Sequence, residues 1–277
     1  MKTWFITGAS RGFGALIMEA VLAGSDAVVA TARDPSSIAD HPRLLKLPLD
    51  VTNEGQARDA AARGIEKFGR IDVLVNNAGY GLLGAVEEAN ALEVERVFAT
   101  NVFGLLNVTR AVLPDMRKRR SGHIINMSSI GGYASSSGWG VYCATKFAVE
   151  GLTEALSIEL APLGIHATVV EPGFFRTDFL SGRSLSSTAV RIDDYTDTVG
   201  RMRTVAAALN HQQPGDPQRL AQVIVQLAAA RKPPTRLALG SDTVARIEEK
   251  RRDVERELDL WRSVSLSTDF KVTGDRR

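Results

Sequence analysis

The chain has 277 residues, of which 44% are hydrophobic and 24% charged, with a net charge of +2. That length and balance suit one large α/β domain, or two small ones, with a core of useful size, and exclude extensive disorder. The near-zero charge gives no electrostatic reason for binding nucleic acid or a membrane surface.

The first segment, MKTWFITGAS, enters a strand at once and lacks the apolar stretch and cleavage site of a signal peptide. Further on, short Val/Ile/Leu-rich runs alternate with longer helical patterns. Strands are expected at Thr3–Ile6, Ala27–Ala30, Leu44–Leu47, Val73–Val75, His123–Asn126, His166–Val170 and Leu237–Leu239. Helices are expected near Gly12–Ala23, Glu54–Phe68, Leu92–Arg119, Val141–Pro162 and Pro217–Ala230. Strands this apolar are buried on both faces, and their alternation with helices implies a doubly wound parallel sheet of the Rossmann type. No apolar run approaches the length of a membrane span.

The basic run Arg117, Lys118, Arg119 and Arg120 reads as a solvated helix C-terminus, where cations suit the helix dipole. One cysteine, Cys143, permits no internal disulfide, which fits a reducing, cytoplasmic setting. His41, His123, His166 and His211 have no metal-ligand spacing, so no metal is expected.

Residues 1–240 are therefore expected to form one Rossmann-type domain, with a polar segment at about 178–215 in the position of a lid or binding loop. Residues 241–277 form a charged helix and tail. Val244, Ile247, Val254, Leu258 and Trp261 make an apolar stripe, expected to pack on the same domain. The last residues, Lys271–Arg277, are expected to fray.

TGASRGFG follows the first strand and opens the first helix. Gly8, Gly12 and Gly14 suit a tight turn, close approach of backbone to a phosphate and close helix–strand packing. The helix N-terminus, with Ser10, Arg11 and Phe13 around it, faces the anion. The second strand ends in VVATARD, so Ala32 stands where an NAD site usually carries an acid, and Arg33 follows. With Arg11, Arg33 suits the 2′-phosphate of NADPH; Asp34 is the counter-argument for NADH.

Tyr142 and Lys146 lie four residues apart, on one helix face, and Ser129 precedes the tyrosine by thirteen. A phenol is a weak proton carrier at neutral pH, and a neighbouring cation favours its ionised form. A phenol, a cation and a hydroxyl suit proton transfer at a carbonyl or alcohol oxygen.

With these motifs assembled, the chain resembles the short-chain dehydrogenase/reductase (SDR) family over roughly Lys2–Leu239. The resemblance rests on TGASRGFG, Asp50 in LDVT, NNAG ending at Gly79, Asn101, Ser129, Tyr142 with Lys146, and PGFFRT, in the family order. It implies that Tyr142 is the acid in carbonyl reduction and the base in alcohol oxidation. Lys146 would lower the phenol's pKa and hold the nicotinamide ribose, Ser129 would hold the substrate oxygen, and Asn101 would support Lys146 through a water. It further implies that Asp50 and Val51 flank the adenine, and that Asn77, Ala78 and Gly79 pack along the cofactor. Pro172, Gly173, Phe175 and Thr177 would bracket the nicotinamide amide. Ser128 adjoins Ser129; the family interval favours the latter. Tyr133, Trp139, Phe174, Phe179 and Leu180 are candidates for an apolar substrate wall. The resemblance implies an NADP(H)-dependent oxidoreductase acting on a small carbonyl or alcohol, and a homodimer or homotetramer. The alternatives are a non-catalytic nucleotide-binding regulatory or scaffold protein of the same fold, or an epimerase or dehydratase acting on a nucleotide sugar.

Overall fold

A computed structural model describes residues 1–182 and 184–270. Seven strands form a parallel sheet in the order β3-β2-β1-β4-β6-β7-β9. They are β1 (Thr3–Thr7), β2 (Ala27–Ala32), β3 (Leu44–Pro48), β4 (Val73–Asn76), β6 (Gly122–Met127), β7 (Ile165–Pro172) and β9 (Arg236–Leu239). Successive side chains alternate between the two faces of the sheet. Trp4 and Ile6 pack against α1 (Gly12–Ala23) and α7 (Pro217–Ala229). Phe5 joins the opposite core, with α2 (Glu54–Phe68) and α4 (Leu105–Arg119). The chain winds outward from β1 to β3 and then returns to β4 on the other side. The loops after β1 and β4 therefore diverge and leave a crevice at the strand C-termini, where open α/β sheets bind ligands.

The expected helix Leu92–Arg119 is divided. α3 (Ala91–Phe98) leads into a π-helical turn at Ala99–Gly104 before α4 begins. Such turns insert a residue into the helical ladder and re-aim side chains. The stretch Ala91–Arg119 holds no long unbroken apolar run, but it is long and apolar enough by composition to cross a membrane. Its mean hydropathy of 1.2 over a membrane-length window qualifies, yet half of that window is buried and the helix packs on α2, β4 and β6. The apolar face of α4 is core, with Val108, Val112 and Met116 fully buried.

The segment after β7 is more ordered than its polar composition predicts. β8 (Leu185–Ser187) pairs in parallel with β5 (Gly81–Leu83), and α6 (Arg201–Leu209) follows a second π-helical turn.

The C-terminal helix α8 (Ser241–Leu266) departs from the expectation that it packs along the domain. Its first turns dock beside β9, with Thr243 fully buried. Beyond them Val254, Leu258 and Trp261 are 47%, 50% and 63% exposed. A helix of this length spans roughly 39 Å, more than the sheet edge that receives it. The tail from Lys271 onward lies outside the described residues.

Candidate active site

A cleft of about 1050 Å³ opens at the C-terminal ends of the strands, running from Arg33 and Asp50 at one end to Tyr142, Phe179 and Leu185 at the other.

The glycine turn is built by close contact. Gly8 and Gly12 adopt positive φ, +64° and +56°, which favours glycine. A side chain at Gly14 would overlap the Gly8 carbonyl and come within 2.6 Å of Asn77 Nδ2. Asn77 donates from Nδ2 to the Thr7 and Gly8 carbonyls at 2.9 and 3.2 Å. Its backbone N–H and that of Ala78 donate to Thr7 Oγ1 at 2.9 and 3.0 Å. Asn77 thus locks the turn together. Gly8, Ser10, Arg11, Gly12, Phe13, Ala78 and Gly79 line the cleft, with Gly14 packed behind.

At the outer end, β2 closes on the buried Ala32, followed by the exposed Arg33. Asp34 accepts a hydrogen bond from the Ser36 backbone at 2.9 Å, and its contacts with Ser36 lower its pKa. Arg96, on α3, joins Arg33 here; burial raises the Tyr80 phenol's pKa, while both guanidiniums oppose that. The sequence patterns did not single out Arg96. Asp50 forms a turn with Thr52, accepting from its N–H at 3.0 Å and its hydroxyl at 2.8 Å, with Val51 beside it in the cleft wall.

At the inner end, α5 (Gly140–Leu160) carries Tyr142 and Lys146 on its buried face. Burial is the main influence on the phenol and pushes its pKa up; the Ser129 hydroxyl, hydrogen-bonded to it, acts the other way. The expectation gave that second part to Lys146. Its Nζ instead donates to the Met127 carbonyl at 2.8 Å, and lies 5.8 Å from the centre of the phenol ring. Burial lowers the lysine's own pKa to about 8, and Glu150 opposes the drop.

Asn101 sits in the π-helical turn, 2% exposed. It donates to the Tyr80 carbonyl at 2.9 Å and to Thr145 Oγ1 at 3.1 Å, and accepts from the Tyr80 N–H at 3.0 Å. Gly79 separates it from Lys146: a Cβ there would lie 3.0 Å from Asn101 Oδ1 and 3.8 Å from Lys146 Nζ.

Trp139, Phe179 and Leu180 line this end, the rings of Trp139 and Phe179 lying 5.7 and 5.8 Å from that of Tyr142. Phe174 lies at the mouth. Tyr133 must be corrected: the 3-10 turn Ile130–Gly132 brings Ala134, not Tyr133, to the cleft. Leu185 and Met202 complete the wall, a contribution that the polar composition of their segment concealed. Pro172, Gly173, Phe175 and Thr177 border the centre, where Phe175 packs edge-on against Phe13 at 5.6 Å. α8 reaches this border too. Asp242 accepts from the Phe174 N–H at 2.7 Å, and Arg246 lines the mouth. No group of metal-binding side chains occurs among the described residues.

Strand order, glycine turn and cleft together define a Rossmann-type α/β protein with a tyrosine–lysine pair at the inner end of its crevice. The short chain dehydrogenase family model matches residues 2–186, and the chain belongs to that family of oxidoreductases. It is 37% identical to oxidoreductase BOA17 of Botryotinia fuckeliana, over 96% of this chain and 99% of that protein. It is 41% identical to a 3-ketodihydrosphingosine reductase of Bacteroides thetaiotaomicron, over 85% and 86%. A short-chain dehydrogenase from Streptomyces avermitilis superposes with a TM-score of 0.90 at 40% identity, over 97% of this chain and 100% of that one. Two solved neighbours hold nicotinamide dinucleotides. A short-chain dehydrogenase/reductase from Burkholderia phymatum is in complex with NAD, with TM-score 0.81 and 25% identity over 92% and 95% of the chains. ElxO has NADP bound, with TM-score 0.73 and 28% identity over 88% and 99%.

Proposed function

We propose that the chain is an NADP(H)-dependent oxidoreductase that interconverts a carbonyl group and a secondary alcohol. The observation that carries this reading is the inner end of the cleft. There a buried phenol meets the Ser129 hydroxyl, a lysine follows one turn later, and an apolar wall faces them. The glycine turn fits a dinucleotide: Gly12 has positive φ and open space where a Cβ would stand, at the start of α1. The bound nicotinamide would supply or accept the hydride.

The protein's own part is positioning and proton transfer. Ser129 holds the substrate oxygen, and Tyr142 gives it a proton in reduction or takes one in oxidation. Lys146 holds the nicotinamide ribose and, when charged, favours the phenolate. Asn101 fixes the strand-end loop at Tyr80 and links it to α5 through Thr145. Arg11, Arg33 and Arg96 at the outer end, with Ala32 in place of an acid, favour the 2′-phosphate and hence NADPH.

Trp139, Phe179, Leu180, Leu185 and Met202 suit a substrate with an apolar arm. The similarity to a protein named 3-ketodihydrosphingosine reductase agrees with reduction of a ketone. Phe103 and Phe147, 57% and 47% exposed beside the residues of α4 and α5, support assembly as a homodimer or homotetramer through these helices.

The test is NADPH oxidation by the purified chain against a panel of ketones of increasing apolar length, with Tyr142→Phe beside it. Loss of the proton donor lowers turnover by about 10²–10⁴-fold. NADPH affinity, read by fluorescence, stays within about threefold, because the lost hydroxyl leaves the phosphate contacts in place. Turnover preserved in the variant would refute the assignment.

A further inference from the structure

Behind the tyrosine–lysine pair lies a buried ionic cluster that the mechanism above leaves unused. Tyr142, Lys146 and Glu150 recur every four residues on the buried face of α5, so one stripe carries phenol, ammonium and carboxyl in successive turns. Glu150 is 4% exposed. One of its oxygens pairs with Arg236, on the edge strand β9. The other faces the nearby hydroxyl of Ser128. Both press on Gly132, where an added Cβ would overlap Ser128 Oγ and come within 2.9 Å of Glu150 Oε1.

Arg236 also lies 3.5 Å from Glu171 on β7, itself 2% exposed, and 2.7 Å from Glu154 on α5. One guanidinium thus serves three carboxyls, two of them buried. A buried carboxylate that shares a cation with other carboxyls retains a proton to higher pH.

We infer that Glu150 is a positioning residue for the reaction: its buried carboxylate holds the Lys146 ammonium in its charged form from the next turn of α5, and Arg236 keeps that carboxylate ionised. The inference rests on the roles proposed above for Tyr142 and Lys146. Burial is the chief influence on Glu150 and pushes its pKa up to about 7, with Glu171 adding to the rise and Arg236 and Ser128 opposing it. Lys146, lowered to about 8 by burial, is supported by Glu150. The groups facing Glu150 are Lys146 and Glu154 on its own helix, Ser128 at the end of β6, Glu171 on β7 and Arg236 on β9.

Above the Glu150 midpoint the carboxylate is negative and the neighbouring ammonium is favoured. Below it the carboxyl is neutral, but the lysine is then protonated by the pH itself. The device therefore matters on the alkaline side, where Lys146 would otherwise release its proton.

The experiment follows the ¹³Cε resonance of lysine through a pH titration of the full chain, without substrate, with Lys146 assigned by the signal lost in Lys146→Arg. The native resonance titrates with a midpoint near 8. Glu150→Gln lowers that midpoint by about one pH unit, because the amide carries no charge. Arg236→Gln lowers it as well, because Glu150 then keeps its proton; this variant carries the test if Glu150→Gln does not fold. Midpoints unchanged in the folded variants would overturn the inference. A lowered midpoint in a protein that reduces no carbonyl would instead refute the proposed reaction, so the two failures are distinguishable.

Discussion

Arg203, on α6, places a guanidinium nitrogen 2.6 Å from the carboxylate of Glu88, whose side chain is fully buried. The same carboxylate accepts from the backbone N–H groups of Ala85 at 2.7 Å and Ile192 at 2.9 Å. Glu88 therefore ties the segment after β8 to the chain after β5, and with it the wall formed by Leu185 and Met202. Against the cost of burial, three donors, one of them the Arg203 cation, hold the folded-state pKa at about 2.

Removing that carboxylate strands the arginine. Glu88→Ala leaves a mostly buried guanidinium unpaired, which costs roughly 3–5 kcal/mol. Hydrogen exchange across residues 185–205 should accelerate before the sheet is affected, because the pair anchors the segment and not the strands. Equal protection in variant and native protein would show that the apolar contacts alone hold the cap.

A second consequence lies in the glycine turn. The Cβ of Gly14→Ala would be driven into the Gly8 carbonyl and the Asn77 amide, which Asn77's own hydrogen bonds prevent from yielding. Overpacking of this kind costs about 1–3 kcal/mol, and here it also displaces the turn that faces the phosphates. Denaturant melts should show the loss. Dinucleotide affinity should fall with it.

The sheet was legible because its strands are short apolar runs separated by longer helical patterns. The inner site was legible because Tyr142, Lys146 and Ser129 are fixed by spacing along the chain. What stayed hidden depends on contacts between distant segments. Arg96 reaches the outer end from the last turn of α3, an element that periodicity did not separate from α4. Leu185 and Met202 reach the inner wall because Glu88 and Arg203 gather a polar segment over it. Tyr133 failed as a wall residue because a 3-10 turn at Ile130–Gly132, which no sequence pattern marked, presents its neighbour Ala134. The distal half of α8 failed to pack because an apolar stripe records only that a face is available for packing. It does not record whether the domain extends far enough to cover that face.

Coenzyme choice separates the outer arginines from the rest of the cleft. Arg33→Ala should weaken NADPH by about 10–100-fold, the range of a charge-assisted contact worth about 1.5–3 kcal/mol. NADH, lacking the phosphate, should change by less than about threefold. Titration of both coenzymes against native and variant protein distinguishes the outcomes. Equal losses would assign Arg33 to the shape of the loop.

The fold carries its own acid sensitivity in His123. The ring lies buried against His166, centres 5.8 Å apart, and its Nε2 is 2.9 Å from Thr168 Oγ1. Burial, with His166 and Lys2 as neighbours, lowers its folded pKa to about 3 from the ordinary 6.5. Below 6.5 the unfolded chain therefore binds a proton that the folded chain refuses. Stability from this group is complete above that pH and declines as the pH falls toward 3, by up to about 1.4 kcal/mol per unit. His123→Gln removes the titration while keeping a polar side chain. Its stability deficit, measured by urea melts, should be largest near neutrality and shrink as the solution is acidified. A deficit independent of pH would mean that the imidazole titrates alike in the folded and unfolded chain.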